Sequence, residues 1–274
     1  MRDYREMDRE RCRLDSAYAE LEKTSATTWD YPSDRYLVVR LDGVKASAIF
    51  LKDHLRSPRY EKALKSALTD AYYVLRGWTR GECKNFYLGA LMISDEVSFV
   101  LNSGNSPDNR RVIKNCTLLA GLLSAAMMKH LEVYQPKRGV LKKSGSPNDR
   151  VLCNFDARPL LFDRLESIPD YLYYRWLLAS RNAMFKTYRL QMKIPKSVRF
   201  SDEDRASIEW CARQVTENDL FNDYQKVSQG FRLFVPDDED TLREYSVADD
   251  GSGDVRKIFA KISAYGRRVS EQGA

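Results

Sequence analysis

The chain has 274 residues, 43% of them hydrophobic, with 45 Lys and Arg against 39 Asp and Glu for a net charge of +6. That length suits one large domain or two modest ones with a real core, and so small a cationic surplus permits RNA binding without demanding it. Only two His occur, and the five Cys lie outside any C-x-x-C pair, which argues against Ser-His-Asp or Cys-His catalysis, a zinc site or a disulfide framework and makes reduced structural thiols in a cytoplasmic protein the expectation.

Residues 1–27 read as a charged helix around Met7, Leu14, Ala17 and Leu21. The opening Met1-Arg2-Asp3-Tyr4-Arg5-Glu6 lacks the apolar centre of a signal peptide, and no apolar run of about 18 residues suggests a membrane span. A connector with Pro32 leads to a strand over 35–41 and a loop through Pro58. Ser57-Pro58 opens a helix, because Pro suits the first helical position, and Tyr60, Leu64, Ala67, Leu68, Ala71, Val74 and Leu75 recur at helical spacing up to Gly77. Two strands follow, over 86–93 and 97–101, with Ser94-Asp95-Glu96 as a tight hairpin. After a polar loop, Asp108 can cap a helix from Arg110 to about Leu131 whose stripe includes Ile113, Cys116, Leu119, Leu123 and Met127. A basic loop over 134–150, a fourth strand over 151–155 and a long helix from Pro169-Asp170 to about Met192 complete this part.

The order strand, helix, strand, strand, helix, strand is the βαββαβ ferredoxin-like order, an α+β fold with one antiparallel sheet and helices on one face. The expected organisation is an N-terminal helix and connector over 1–33, a palm-like catalytic domain over 34–195 and a helical region over 196–274. In that last region Ser201-Asp202-Glu203-Asp204 starts a helix, acidic stretches at 236–240 and 249–254 punctuate, and 255–268 is a basic amphipathic helix.

Two acidic motifs end apolar strands: Arg40-Leu41-Asp42-Gly43 and Ile93-Ser94-Asp95-Glu96. The topology brings Asp42 and Asp95 to one end of the sheet, where two carboxylates form a hard oxygen site suited to Mg²⁺, the usual apparatus of nucleotidyl transfer. The plainer alternative is that strand-end acids are solvated or pair with Arg and Lys. Gly43 lets phosphate oxygens approach the backbone, and the amides of Val44, Lys45, Ala46 and Ser47 can line a phosphate cradle. Arg110, Arg111 and Lys114 occupy the first turns of their helix, the end where cations are disfavoured, so either a bound triphosphate or a solvated basic turn accounts for them. On the long helix Arg175, Asn182, Lys186 and Arg189 share a face beside Tyr171, Tyr174, Leu178, Phe185 and Tyr188. That stripe either contacts RNA or a second nucleotide or forms core.

The motifs above, with Ile93-Ser94-Asp95-Glu96-Val97-Ser98-Phe99, Phe155-Asp156-Ala157-Arg158 and Asp170-Tyr171 leading to Arg181-Asn182-Ala183, together resemble the tRNA(His) guanylyltransferase superfamily of reverse (3′–5′) nucleotide-adding enzymes over about residues 30–195. The resemblance implies two Mg²⁺ ions on Asp42 and Asp95 with the Gly43 carbonyl contributing and Glu96 beside them, and catalytic roles for Asp42, Asp95 and Glu96. It implies triphosphate contacts from Ser94, Arg110, Arg111 and Lys114. ATP or GTP and a 5′-monophosphorylated tRNA or similar RNA are the implied partners, and a dimer or tetramer the implied assembly. Where eukaryotic members carry H-I-N-N-L-Y-N, this chain reads Ser180-Arg181-Asn182-Ala183-Met184-Phe185, which is similar to the archaeal and bacterial guanylyltransferase-like branch associated with templated 5′-end repair. The family's His shortly after R-L-D-G is absent, with Ser47 nearby, and Leu51-Lys52-Asp53-His54 replaces a K-P-N-D-like segment. A tRNA(His)-specific guanylyltransferase, a palm-fold synthase of a small signalling nucleotide and a catalytically silent RNA-binding protein stand as alternatives.

Overall fold

The structure is a computed structural model that describes residues 3–26, 35–44, 46, 55, 57–78, 86–102, 111–133, 153–195, 197–237, 241–248 and 254–272. Lys45, Ser47, His54, Asp108, Arg110 and the basic loop over 134–150 lie outside the described residues.

Helix α1 covers Tyr4–Ala26 and strand β1 Tyr36–Gly43. Helix α2 runs Pro58–Trp78, β2 Tyr87–Ile93, β3 Glu96–Asn102 and α3 Val112–Val133. Strand β4 is Phe155–Phe162, and α4, with Pro in its first turn, is Ile168–Gln191. Short helices α5 (Asp202–Ala206), α6 (Ile208–Glu217) and α7 (Phe221–Ser228) precede β5 (Arg232–Pro236), β6 (Leu242–Ser246) and α8 (Val255–Gln272). Ser201 and Ser207 cap α5 and α6, each hydroxyl accepting from a main-chain N–H three residues on.

The sheet order is β4-β1-β3-β2-β5-β6, and each pairing is antiparallel. Its first four strands are the βαββαβ unit in the expected order. The C-terminal region differs from the wholly helical expectation, because β5 and β6 extend the sheet beyond β2. The fourth strand begins where the expected one ends, and Pro159 within it is tolerated because β4 is an edge strand. β2 is buried at every position, as a strand covered on both faces must be.

Two apolar layers flank the sheet. Leu37, Val39 and Leu41 of β1 pack with Tyr60, Leu64 and Leu68 of α2 and Leu119, Leu123 and Met127 of α3. The opposite face, which the sequence left uncovered, meets Leu14 and Tyr18 of α1, Tyr171 and Trp176 of α4, and Phe259 and Ile262 of α8. Trp176 is 1% exposed, and its indole N–H donates to the Val247 carbonyl at 2.8 Å, tying α4 to the segment after β6. The stretch Val112–Leu131 is long and apolar enough to cross a membrane, contrary to the expectation of no such run; in this fold its Val112, Cys116, Leu119, Leu123 and Met127 are core.

Candidate active site

Alternation along β1 turns Leu37, Val39 and Leu41 toward α2 and α3, and so Val38, Arg40 and Asp42 toward α1 and α4. The register sets Asp42 opposite Glu96 of β3 and opposite Asp156 of β4. Three carboxylates thus form one row across adjacent strands, on the face that α4 partly covers. Ile93 pairs with Glu96, so Ser94-Asp95 is a two-residue hairpin turn. The Gly43 N–H donates to the Asp95 carbonyl at 3.0 Å, which joins the two acidic motifs directly. Ser94 has φ 57° while Asp95 does not enter the positive region, the pattern of a turn whose first position ordinarily takes Gly. Local strain is therefore stored beside Asp95.

Like charges directly opposite one another on a sheet repel, and Asp42 bears the consequence. Its pKa is raised, first by partial shielding from solvent and then by the charges of Asp95, Glu96 and Asp156, with Arg40 acting against them. The side chain still reaches solvent at the rim. Glu96 has a cation of its own, since Arg175 of α4 donates to its Oε1 at 3.0 Å and its second nitrogen bonds Oε2. Both side chains are 16% exposed. Burial alone would lower the Arg175 pKa, but the charge and hydrogen bonds of Glu96 more than offset it and hold the guanidinium above its usual range. Arg40, 5% exposed, bonds Glu22 of α1 at 2.5 Å. Lys186, one helix face with Arg175, is half-buried; that burial lowers its pKa while Asp95 opposes the shift.

Below the rim, the Tyr60 hydroxyl reaches the underside of Gly43. Burial raises the Tyr60 pKa, as do Cys153 and the charges of Asp95 and Asp42, and burial pushes the Cys153 thiol up to about 11. A Cβ on Gly43 would lie 2.7 Å from the Ala46 Cβ, 3.0 Å from the Tyr60 hydroxyl and 3.3 Å from the Asp95 carbonyl. Gly43→Ala is therefore expected to cost about 1–3 kcal/mol by overpacking, read as a lowered urea midpoint, and to disturb the bond between the two motifs. Unchanged stability would show that the rim can relax around a methyl group.

Of the residues singled out from sequence, Asp42, Gly43, Ser94, Asp95 and Glu96 converge. The Val44 N–H does not face an open cradle: it donates to the Asn154 carbonyl at 2.8 Å. Ala46 is buried. Arg111 directly precedes α3, exposed, and Lys114 lies in its first turn, half-buried. Arg175 is committed to Glu96 rather than presented to a ligand. Asn182 is exposed, and its amide oxygen accepts from Arg181 at 2.9 Å. Asp156 is the acid that sequence reasoning left without a role; its alignment with Asp42 emerges only from the strand register. Among the described residues no group of three or more His, Cys, Asp or Glu side chains is placed to hold a metal ion. A Mg²⁺ site does not require such a group, because that ion is commonly held by one or two carboxylates plus substrate phosphates and water.

Comparison with known proteins bears on the family and the fold. The family described as tRNAHis guanylyltransferase matches residues 19–163, a span holding all four acids and ending before α4. The tRNA(His) guanylyltransferase of Saccharomyces cerevisiae is 28% identical over 159 residues, 58% of this chain and 62% of that protein. That of Kluyveromyces lactis is 29% identical over 154 residues, 56% of this chain and 60% of its own. The matches thus span about three fifths of those relatives' length. A bacterial tRNA(His) guanylyltransferase-like protein in complex with ATP superposes with a TM-score of 0.59 at 13% identity, over 91% of this chain and 99% of that chain. A structure of such a protein with GTP gives 0.55 at 13% identity, over 92% and 99%. The S. cerevisiae structure gives 0.55 at 18% identity, over 82% and 94%. At these identities the likeness is one of fold.

Proposed function

We propose a reaction for this chain on one premise: it belongs to the tRNAHis guanylyltransferase family. The reading is a Mg²⁺-dependent nucleotidyltransferase that adds nucleotides in the 3′–5′ direction to the 5′ end of tRNA or a tRNA-like RNA. The 5′-monophosphate first attacks the α-phosphorus of a nucleoside triphosphate, which forms a phosphoanhydride and expels pyrophosphate. The 3′-hydroxyl of an incoming triphosphate then attacks the activated 5′ phosphorus, loses its proton and displaces the activating nucleoside monophosphate. The observation that carries this reading is the carboxylate row at the sheet rim, where Asp42 faces two acids across the strands and a third in the adjoining turn. Its raised pKa is a standing electrostatic cost, and it is the kind of cost that a bound cation removes.

Asp42 and Asp95, with the Gly43 carbonyl, would supply the hard oxygens for two Mg²⁺ ions, and the chemistry such ions would add there is neutralisation of charge on the phosphoryl oxygens. Glu96 does not act as a free base, because Arg175 holds its carboxylate; the pair fixes the start of β3 and with it the Asp95 turn. Lys186 sets an ammonium within reach of the Asp95 field, where charge develops on the transferring group. Arg111 and Lys114 remain candidates for the triphosphate tail. The relatives' names favour guanylyl addition to tRNA(His), whereas Ser180–Phe185, written Ser180-Arg181-Asn182-Ala183-Met184-Phe185, resembles the guanylyltransferase-like branch.

The test is incubation with labelled triphosphate and Mg²⁺, with and without 5′-truncated tRNAs. Extension of several truncated tRNAs supports the broad reading, and extension of tRNA(His) alone selects the narrow one. A labelled product formed without RNA points to a small-nucleotide synthase. Asp95→Ala should abolish extension; full activity in that variant would refute the metal assignment.

A further inference from the structure

A second feature of α4 lies away from the carboxylate row. Its last turns, the segment after it and α5 enclose a cleft of about 560 Å³, lined by Phe185, Arg189, Arg199, Phe200, Asp202 and Arg205 among others. That volume is in the range of ligand sites, about 300–1,000 Å³. Three arginines face one carboxylate, and Asp202 meets Arg205 only at 3.9 Å. Arg189 and Arg205 each stand about 6 Å from the Phe185 ring centroid, at 6.0 and 5.9 Å. Arg189 also donates to the Pro195 carbonyl at 2.8 Å, so its orientation is set before any ligand arrives. Among the described residues Arg199 makes no ion pair.

The floor is rigid. Phe185 packs edge-on against Phe200 at 5.3 Å, and Phe200 against Trp210 at 5.6 Å, with Tyr188 closing the cluster at 5.8 Å from Trp210. Cations held over an aromatic floor match what single-stranded nucleic acid requires: guanidinium groups for phosphates and planar faces for bases. An acidic peptide would use the cations but has no need of the aromatic surface. The position adds direction. Arg189 is three residues beyond Lys186, whose charge interacts with Asp95, about 4.5 Å of helix rise, so the cleft and the acidic rim share one end of α4.

We propose that this cleft holds a single-stranded segment of the RNA substrate next to its reacting end. The proposal rests on the nucleotidyl-transfer reading for the identity of the substrate, but its binding step can be measured without catalysis. Full-length protein is titrated, without triphosphate, into a labelled single-stranded RNA and into a blunt RNA hairpin, at several salt concentrations. The double variant Arg199→Ala/Arg205→Ala removes two exposed side chains, and its thermal midpoint serves as the folding control. The expected result is about tenfold weaker binding of the single strand and a salt dependence shallower by about 1.4 in slope, at about 0.7 for each lost phosphate contact. The hairpin should be affected less. Unchanged affinity in the variant overturns the proposal, as does an equal loss for single strand and blunt hairpin. Displacement of the RNA by a glutamate-rich peptide that the variant no longer binds also overturns it, and assigns the cleft to acidic protein segments. Single-strand binding by a wild-type protein that incorporates no nucleotide would instead count against the transfer reading and leave the cleft assigned.

Discussion

Asp42→Asn is expected to lower nucleotide incorporation by about 10³-fold or more while making the metal-free protein slightly more stable. The first half follows from removing a charged ligand at the point where phosphoryl charge must be neutralised. The second follows from the sheet register. Asp42 faces Glu96 on one side and Asp156 on the other, and each such like-charge pair costs a few tenths of a kcal/mol. Exposure of the side chain screens that repulsion, so the gain should be about 0.5 kcal/mol, or about 1–2 °C in thermal midpoint for a chain of this size.

The pH dependence has a definite sign. In the folded protein the Asp42 pKa lies above its usual 3.8, so the folded state binds more protons than the unfolded one between those two values. Stability from this group therefore falls as pH rises through that window, and the full penalty is present above the folded pKa. The advantage of Asp42→Asn should be largest at neutral pH and vanish at the acid end. Mg²⁺ should raise the midpoint of the wild type at neutral pH by mass action and leave the variant nearly unmoved. A variant that keeps its activity within tenfold, or a wild type indifferent to Mg²⁺, would count against the site.

Asp42 and Asp95 were legible because each ends an apolar strand and the βαββαβ order allows only a few arrangements. Asp156 was not, since its role depends on which residue of β4 sits beside Asp42, and Pro159 disguised the strand itself. β5 and β6 escaped notice for a similar reason. Arg232–Pro236 is a short apolar run, Leu242–Ser246 is a mostly exposed edge with little alternation, and both become strands by pairing onto the sheet. Helical spacing puts Arg175 on one side of α4 with Asn182, Lys186 and Arg189, but periodicity cannot say what a face meets. Here it meets Glu96, so a side chain that read as a ligand contact belongs to the frame of the site. The uncovered sheet face was filled by α1 and the C-terminal helices, which no local pattern assigns to it.

That frame can be tested through Arg175→Met, whose expected cost is about 3 kcal/mol because it leaves the largely buried Glu96 carboxylate without its cation. At about 2–4 °C per kcal/mol the thermal midpoint should fall by about 6–12 °C. The loss would not measure what the ion pair contributes. Much of it is the penalty of one uncompensated charge, and the repulsion from Glu96 on Asp42 would grow at the same time. The second arm is therefore Arg175→Met/Glu96→Gln, which removes both charges. If the pair acts mainly by mutual neutralisation, the double variant should recover to within about 1 kcal/mol of wild type, and the coupling energy should be large for residues in contact. Activity separates the two roles further. A positioning role predicts that the double variant, though stable again, loses turnover while its triphosphate KM changes little, because the Asp95 turn is no longer held from the start of β3. Glu96 acting directly at the reacting phosphate predicts instead that Glu96→Gln is inactive while Arg175→Met, which keeps the carboxylate, retains turnover below its melting range. Full turnover in the stable double variant would mean that neither residue positions the turn, and that the rim depends on the Gly43-to-Asp95 hydrogen bond and the strand pairing alone.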